Sequence, residues 1–431
     1  MRSEFAERRK RVLSALQPGI LLVFAAPTAI RNNDVEHEYR QDSDFFYLSG
    51  FDEPDSVLVL TTRGEQCFQL FVRPRDPERE VWDGARAGVD GAVAEFGASA
   101  AFPIAEFEAK LPELLQDQER LFYRLGKEQS HDALVLSALE RTRAKGRLGS
   151  SWPTQIVDPA TVIHEMRLFK SGEEVELMRS AAAITRDAHV RAMAETRAGR
   201  YEYEIEAVLR ERFHAGGAER CAYAPIVGSG PNATVLHYRR NNRRMQPGDL
   251  LLIDAGCEYR YYACDVTRTF PVSGKFSAAQ QELYEIVLEA QLASIDATRP
   301  GSTLDAVHQR SVQRITEGLV RLGIIQGPTE AALEEQRYKP YFMHRTSHWL
   351  GMDVHDVGRY HRGGTARELE PGMVITVEPG IYISQNAPVP EQYRGIGIRI
   401  EDDVLVTREG HVVLTESIPK SVAEIEHACA A

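Results

Sequence analysis

Two short segments, far apart in the chain, share one pattern that constrains the fold more than any other feature. "PGDLLLIDAG" (247–256) aligns without gaps to "PGMVITVEPG" (371–380). Each has a Pro-Gly turn, an apolar run that predicts a buried strand, an acid in the eighth place and a closing glycine. Because the acids, Asp254 and Glu378, occupy equivalent places, the repeat indicates two duplicated units that bring these acids to a shared site.

Each of these strands follows two segments with helical periodicity: 173–195 and 202–214 before the first, 278–296 and 303–322 before the second. Ser171 and Glu174 have the spacing of a capping box, and so do Ser277 and Gln280. The second part of the chain is therefore expected to be a duplicated α+β domain, 171–431.

The first part of the chain has a different organisation. Apolar runs such as "SVLVLTT" (56–62) and "QCFQLFVRP" (66–74) predict strands, and residues 131–145 predict a helix. Strands that alternate with helices are typical of an α/β layer. We therefore expect an α/β amino-terminal domain, 1–170.

Composition excludes several functions. The 431 residues fit two domains, and a net charge of -12 argues against a protein that tracks nucleic-acid phosphates. No uncharged stretch approaches the ~18 residues of a membrane span. The start, "MRSEFAERRKRVLSALQPGILLVFAA", places basic residues ahead of an apolar run, as signal peptides do, but the short "ILLVFAA" favours a helix followed by a buried strand.

The cysteines favour a cytoplasmic location. There are five, an odd number, and none forms a CxxC pair, which suggests reduced thiols. Cys257 and Cys264 lie in one hairpin-like stretch where they could face each other, but small buried side chains are the favoured interpretation.

Acids within apolar strands point to a cation. Asp265 follows Asp254 in "YYACDVTRTF", and Glu401 lies in "GIGIRIEDDVLVT". Buried acids are costly unless they are paired or bound to a cation. Pairing with Arg268 or Arg399 is the alternative for any one of them.

With His348, the four acids favour a metal centre. Four carboxylates and one imidazole suit manganese better than a structural zinc, with cobalt or zinc as alternatives. So much negative charge also favours two divalent ions ~3.5–4 Å apart.

Three histidines lie in "MHRTSHWLGMDVHDVG" (343–358): His344, His348 and His355. The first two are four residues apart, as zinc ligands on one helix are. However, the glutamate that would act as a base between them is missing, and Gly351 argues against a long helix. One ligand and two residues that handle substrate are the favoured interpretation, and hydrogen-bonded core histidines are the alternative.

These motifs together resemble one enzyme family. "HRTSHWLGMDVHD", "LIDAG…CDVTRTF", "TVEPG" and "GIRIED" look like the metallopeptidases with the pita-bread fold, and most closely the bacterial Xaa-Pro aminopeptidases (aminopeptidase P). Residues 31–60 look like the amino-terminal domain of that family, and "VIHEMRLFKSGEEVELMRSA" resembles its linker and first catalytic helix. The resemblance covers nearly the whole chain and implies an internal pseudo-two-fold duplication.

The family implies the metal ligands. Asp254 would hold one ion, His348 with Glu378 the other, and Asp265 with Glu401 would bridge both. Glu378 would also relay a proton to the leaving proline nitrogen.

The family also implies roles toward the substrate, a peptide with proline in its second position. His237, in the strand-like segment "TVLHYRR", and His355 would stabilise the tetrahedral intermediate. His344 would line the proline pocket, while Arg399 and Tyr382 would position the peptide beyond the scissile bond.

Alternatives remain within the family. A prolidase, which cuts X-Pro dipeptides, shares every ligand, and some pita-bread proteins are metal-free binding modules. Trp82, in "VWDGARAG", matches a position that reaches a neighbouring subunit's site, which favours aminopeptidase P and a homo-oligomer, a dimer or tetramer. The alternative interpretation of Trp82 is an ordinary half-buried tryptophan with no role at a site. Arg345 departs from the glycine of many relatives.

Overall fold

The apolar runs of the amino-terminal part form one mixed sheet. In the computed structural model, which describes residues 2–16 and 18–430, the chain separates into two units, Met1–Met166 and Arg167–Ala431. The strands of the first unit are β1 (Gly19–Phe24), β2 (Ile30–Asn32), β3 (Val35–Glu36), β4 (Val57–Thr61), β5 (Phe68–Val72), β6 (Ala100–Pro103), β7 (Arg120–Phe122) and β8 (Gln155–Val157). The order β6-β5-β4-β1-β7-β8 places β1 parallel to β7 and antiparallel to β4.

Helices alternate with these strands, as the sequence predicts. They are α1 (Arg2–Leu16), α2 (Ser43–Ser49), α3 (Pro77–Asp83), α4 (Gly88–Ala94), α5 (Phe107–Leu115) and α6 (Gln129–Ala144), and α7 (Ile163–Leu168) follows. The predicted strands at 56–62 and 66–74 are confirmed as β4 and β5. The run "ILLVFAA" begins as the buried strand β1, so the interpretation of the chain's start as helix and strand is also confirmed.

The second unit repeats one arrangement twice. Its helices are α8 (Gly172–Glu195), α9 (Glu202–Ala215), α10 (Ala278–Ala297), α11 (Leu304–Arg321), α12 (Thr329–Glu334) and α13 (Val422–Ala430). Both predicted capping boxes form, with Ser171 and Ser277 as the N-cap residues of α8 and α10. A helix pair precedes the strand that leads to the first acid of each half, so the predicted duplication is confirmed in the order of elements.

The strands of this unit form several small sheets. They are β9 (Arg220–Cys221), β10 (Ile226–Ser229), β11 (Leu250–Asp254), β12 (Cys257–Tyr259), β13 (Tyr262–Ala263), β14 (Thr267–Pro271), β15 (His361–Arg362), β16 (Thr365–Ala366), β17 (Val374–Val377), β18 (Gly380–Tyr382), β19 (Gly397–Arg399), β20 (Asp402–Val406) and β21 (His411–Val413). The first half carries the sheet β10-β11-β14, and the second half carries β17-β20-β21. The strand that leads to the first acid of each half, β11 or β17, is antiparallel to the strand that follows the second acid of that half, β14 or β20.

All five cysteines are free thiols, as the sequence predicts. Cys257 and Cys264 do face each other, since the Cys264 N–H donates to the Cys257 carbonyl at 3.0 Å, but they form no disulfide. Within residues 2–16 and 18–430, every helix is too short or too polar to traverse a bilayer.

Candidate metal centre

The two halves present their acids in matching places. Asp254 is the last residue of β11, and Glu378 follows directly on β17. Asp265 lies just before β14, which pairs with β11, and Glu401 lies just before β20, which pairs with β17. The duplicated fold therefore delivers two acids from each half to one region.

His348 meets these acids from a segment that runs beside β17. The Thr376 N–H donates to the His348 carbonyl at 3.0 Å, and the Glu378 N–H donates to the Thr346 carbonyl at 2.8 Å. His348 Nδ1 lies 3.0 Å from the Trp349 carbonyl, a contact that directs Nε2 toward the acids. Nε2 lies 3.4 Å from Asp265 Oδ2 and 3.6 Å from Glu378 Oε1.

Three of the predicted ligands form the tightest group. One ligand atom each from Asp265, His348 and Glu401 lies within 4.8 Å of the other two, and all three side chains are buried or nearly so. Glu378 lies next to this group, because its Oε1 is 3.6 Å from His348 Nε2. The structure thus brings four of the five predicted ligands together.

Asp254 has partners of its own. Its Oδ2 accepts from Arg399 Nη2 at 2.6 Å, and its Oδ1 accepts from the Tyr223 hydroxyl at 2.6 Å. Asp254 is still electrically part of the cluster, because its charge acts on the pKa of Glu401 and Glu378. The arginine pairing that we weighed as an alternative to a metal therefore occurs at Asp254.

Arg399 also links Asp254 to the rest of the site. Its Nε donates to the Thr267 hydroxyl at 3.0 Å, and its Nη1 donates to the Tyr382 hydroxyl at 2.8 Å. The Thr267 hydroxyl in turn donates to Glu401 Oε2 at 2.6 Å. Arg399 is 3% exposed, so this guanidinium is an internal part of the site.

The carboxyl groups are hard to ionise together. Burial raises the pKa of Glu401 well above its usual range, and the charges of Asp265 and Glu378 raise it further. Burial likewise raises the pKa of Asp254, although Arg399 offsets part of the effect. Such a cluster is suited to a cation, which would favour the charged forms.

Glu378 and His348 are shifted in a way that reflects their contact. Burial raises the pKa of Glu378 to about 7 against the lowering effects of His348 and Arg399. Burial lowers the pKa of His348, but the hydrogen bond and charge of Asp265 outweigh it and raise that pKa to about 9. The two shifts have different causes, burial at Glu378 and the neighbouring Asp265 carboxylate at His348.

The other predicted histidines surround this cluster. His344 Nε2 lies 2.9 Å from the Tyr382 hydroxyl, and its Nδ1 lies 3.7 Å from Glu378 Oε2. Burial, with the nearby charge of Arg399, lowers the pKa of His344 to about 3. The exposed ring of His355 meets the His348 ring edge-on, with centroids 4.4 Å apart.

His237 is exposed, and its segment differs from the expectation. We predicted that "TVLHYRR" continues as a strand, but residues 230–234 form a 3-10 helix and His237 lies in the turn that follows. Pro231 favours the first helical turn, and the strand ladder of β10 ends at Ser229. The turn still places His237 near the site, because its charge lowers the pKa of both His344 and His355.

Trp82 lies in the amino-terminal unit, near the end of α3. Its side chain is 84% exposed and its neighbour Val81 is 82% exposed. The half-buried environment that we considered as an alternative does not occur within this chain.

Comparisons with known proteins agree with this geometry. Residues 176–408 match the model of "Metallopeptidase family M24", and residues 5–123 match "Aminopeptidase P, N-terminal domain". The chain is 46% identical over 428 residues to the Xaa-Pro aminopeptidase of Escherichia coli K12, covering 99% of this chain and 97% of that protein.

The chain belongs to metallopeptidase family M24.

Solved structures extend the comparison to the fold. The aminopeptidase PepP of Pseudomonas aeruginosa superposes with a TM-score of 0.98 at 49% identity, covering 100% of this chain and 98% of that one. Zinc-substituted E. coli aminopeptidase P, solved in complex with product, gives a TM-score of 0.97 at 46% identity over 100% and 98% of the two chains. The predicted fold class, an α/β amino-terminal domain with a duplicated pita-bread catalytic domain, is confirmed.

The residues of this M24 chain fit a metal. Oxygen donors dominate, one imidazole nitrogen is oriented toward them, and burial has removed the water that would otherwise solvate their charge. Hard divalent ions prefer such donors. Asp265 and Glu401 belong to opposite halves of the unit and lie in the same group.

Sequence reasoning missed several residues that support the site. Tyr223 holds Asp254, and its sequence context gives no sign of this. Asp403 Oδ2 accepts a hydrogen bond from the Asp265 backbone N–H at 3.2 Å. The run "EDD" (401–403) does not indicate that its last acid supports Asp265 while its first acid is a candidate ligand. Thr267 could have been found, since it alternates onto the same face as Asp265.

Proposed function

We propose that this chain is a dinuclear metalloaminopeptidase that hydrolyses the bond between an amino-terminal residue and a penultimate proline. The observation that carries the proposal is the buried group of Asp265, His348 and Glu401 within the M24 fold. Relatives along the whole chain that are named Xaa-Pro aminopeptidase support the substrate class. The domains are proposed as 1–170 and 171–431.

We propose five residues as the metal ligands: Asp254, Asp265, His348, Glu378 and Glu401. Manganese suits this oxygen-rich set best, with cobalt or zinc as alternatives. A pair of divalent ions supplies Lewis acidity, which makes a water nucleophilic near neutral pH. Arg399 and Tyr223 fix both oxygens of Asp254, so its direction is set before any ion binds.

Glu378 is proposed to move the proton from the attacking water to the leaving proline nitrogen. A group that both accepts and returns a proton works best when its pKa is near the working pH. Burial gives Glu378 a pKa of about 7 in the metal-free cluster. Its two oxygens face His344 and His348, which keeps the carboxylate between the ligands and the substrate side.

His344 is proposed to contact the proline ring. Its pKa of about 3 keeps the imidazole neutral, so it presents a weakly polar surface. Phe342 meets the His344 ring edge-on with centroids 5.2 Å apart, and Tyr382 lies on another side. Arg399 is proposed to position the peptide through Tyr382, whose hydroxyl it holds.

His237 and His355 are proposed to stabilise the charge that develops on the scissile carbonyl. Both are exposed, which leaves their ring nitrogens open to a substrate, and the two lie close enough for the charge of one to affect the other. Donors aimed at developing charge supply a large share of the rate in acyl transfer.

Proline explains why a dedicated site is needed. A bond before proline has no N–H, and the ring fixes the backbone angle on its carboxyl side. Peptidases that grip the substrate through that N–H cannot use such bonds. A neutral His344 beside the candidate ligands would recognise the proline ring without needing that N–H.

We propose that the enzyme works as a homo-oligomer, a dimer or tetramer, in the cytoplasm. The side chains of Val81 and Trp82 form an apolar surface that a partner subunit would cover. Five free thiols support a reducing compartment. The net charge of -12 supports a peptide substrate rather than a nucleic acid.

The deciding experiment compares one X-Pro dipeptide with Arg-Pro-Pro and a longer X-Pro peptide. The protein is first stripped by a chelator and then supplied with manganese, cobalt or zinc. We expect hydrolysis of the longer peptides, fastest with manganese, and little hydrolysis when the second residue is not proline. Activity confined to dipeptides would assign a prolidase, and inactivity with every metal would assign a binding protein.

A further inference from the structure

The loop that carries His355 has no regular secondary structure of its own. Residues 351–358 lie between the segment that pairs with β17 and the hairpin of β15 and β16. An exposed histidine on such a loop keeps a fixed direction only if other contacts hold its backbone. The next residue, Asp356, provides these contacts.

Asp356 is the anion of a buried ion cluster. Its Oδ1 accepts from Arg167 Nη2 at 2.6 Å, and its Oδ2 accepts from Lys170 Nζ at 3.0 Å. The three side chains are only 1–3% exposed. Burial raises the pKa of Asp356, but Lys170 and Arg167 outweigh burial and lower it, so the Asp356 carboxyl is ionised at neutral pH.

Both ends of the loop pack against the same segment, 167–170. A Cβ on Gly351 would lie 2.2 Å from Asp356 Oδ2 and 2.8 Å from Lys170 Cε. A Cβ on Gly358 would lie 2.9 Å from Leu168 Cδ1, and Gly358 has a φ of 138° that a side chain would strain. The loop is therefore clamped at its two glycines and at Asp356.

The clamp has a backbone part as well. The Asp356 N–H donates to the Trp349 carbonyl at 2.9 Å, and the Lys170 N–H donates to the Gly372 carbonyl at 2.8 Å. Arg167 Nη2 also reaches Asp353 Oδ2 at 2.8 Å. One side-chain cluster thus ties the start of the catalytic unit to the loop on both sides of His355.

We propose that Arg167, Lys170 and Asp356 are positioning residues that hold His355 beside His348 for its action on the substrate. This inference rests on the proposed function of His355. A buried salt bridge is weak evidence for stability, because the cost of removing charges from water offsets their attraction. Apolar side chains could fill this place without the free-energy cost of burying charges. A role in orienting His355 explains why charged side chains are found there instead.

The test is a cycle of Lys170→Met, His355→Ala and the double variant, assayed on a longer X-Pro peptide with manganese. Methionine keeps most of the lysine stem and removes one of the two cations that face Asp356, so the pair with Arg167 can persist. Lys275→Met is the matched control, because Lys275 pairs with Glu426 at the surface and is 75% exposed. Metal content and the urea unfolding midpoint are measured for every variant.

We expect Lys170→Met to lower kcat about tenfold in the wild-type background and less than twofold in His355→Ala, with metal content unchanged. Lys275→Met should match wild type. If Lys170→Met lowers kcat by the same factor in both backgrounds, or lowers metal content in parallel, the positioning role is refuted.

A normal kcat for Lys170→Met beside a reduced kcat for His355→Ala would also refute the inference while leaving the proposed function intact. By contrast, a normal kcat for His355→Ala would show that the assigned role of His355 is wrong. No hydrolysis of X-Pro peptides by the wild-type protein would refute the proposed function itself.

Discussion

Protein stripped of metal should lose stability as the pH rises from about 4.5 to about 7. In this window the folded chain keeps a proton on Glu378, whose pKa burial raises from 4.5 to about 7, while the unfolded chain releases it. A state that binds more protons is disfavoured as protons become scarce, so the free energy of unfolding falls with rising pH. The loss is complete once the pH passes the folded pKa.

The size of the effect follows from the two pKa values. Each pKa unit corresponds to about 1.4 kcal/mol, so the rise at Glu378 predicts a loss of roughly 3 kcal/mol. For a domain of this size that is roughly 6–12 °C in Tm. His348, with a folded pKa raised to about 9, stabilises the folded state below pH 6.5 and loses that contribution between 6.5 and 9.

Two other buried acids, Asp402 and Asp356, do not contribute in this window. The charges of Arg268 and of Lys170 outweigh burial and lower the pKa of Asp402 and Asp356, respectively. Their stabilising contributions are complete above the ordinary value of 3.8 and are lost only at lower pH. Burial also raises the pKa of Glu401 and Asp254, so these acids add to the loss, and unfolding between pH 5 and 7 reports on the carboxyl cluster that contains Glu378.

Urea unfolding followed by circular dichroism, with chelator present, measures this directly. Glu378→Gln should flatten the pH dependence, whereas Glu334→Gln, at an exposed position on α12, should leave it unchanged. Added manganese should reverse the slope, because metal binds the deprotonated ligands, and at about 100 times its Kd it should contribute about 2.7 kcal/mol. Constant or rising stability of the stripped wild type from pH 5 to 7 would refute the reasoning.

Three further predictions follow from single substitutions. Asp265→Ala or Glu401→Ala should lose both metals and activity but keep the far-UV spectrum, and full metal content by elemental analysis would contradict a shared ligand. His355→Ala should keep its metal and lower kcat by about 10²-fold on an X-Pro peptide, and an unchanged kcat would reduce it to a surface residue. Arg268→Met removes the buried partner of Asp402, 2.7 Å away, and should cost about 3 kcal/mol in urea unfolding, where less than 1 kcal/mol would contradict the pairing.

The duplicated fold could be predicted because local and global signals agree. Capping boxes at Ser171 and Ser277 mark two helices, and the apolar runs before Asp254 and Glu378 mark the strands β11 and β17. These features depend on residues a few positions apart, which a sequence displays directly. The turn at His237 is different, since its conformation follows from Pro231 and the end of the β10 ladder.

The candidate ligands were visible in the sequence because acids are rare in buried strands, but their partners were not. The sequence offers both Arg268 and Arg399 as partners for a buried acid. In the structure Arg399 donates to the carboxylate of Asp254. Arg268 donates to the carboxylate of Asp402 and to the backbone carbonyl of Glu401. Which arginine meets which acid depends on how the two halves pack, and no local pattern records that.

The clamp on His355 shows the same limit. Arg167 and Lys170 are nearly two hundred positions before Asp356 in the chain, and the sequence gives no reason to join them. The glycines of the loop are explained only by the structure, where Leu168 packs so closely on Gly358 that a side chain there would clash. Long-range contacts of this kind are not recorded in any local pattern, while the chemistry that His355 could perform can be read from its side chain type.

The most direct test of the metal centre is its stoichiometry. Protein stripped by a chelator is reloaded with excess manganese, freed of unbound metal, and analysed for manganese per chain beside the Asp265→Ala variant. We predict two ions per wild-type chain and none in the variant. Wild-type protein that retains no manganese, or a variant that retains as much as wild type, would contradict the account.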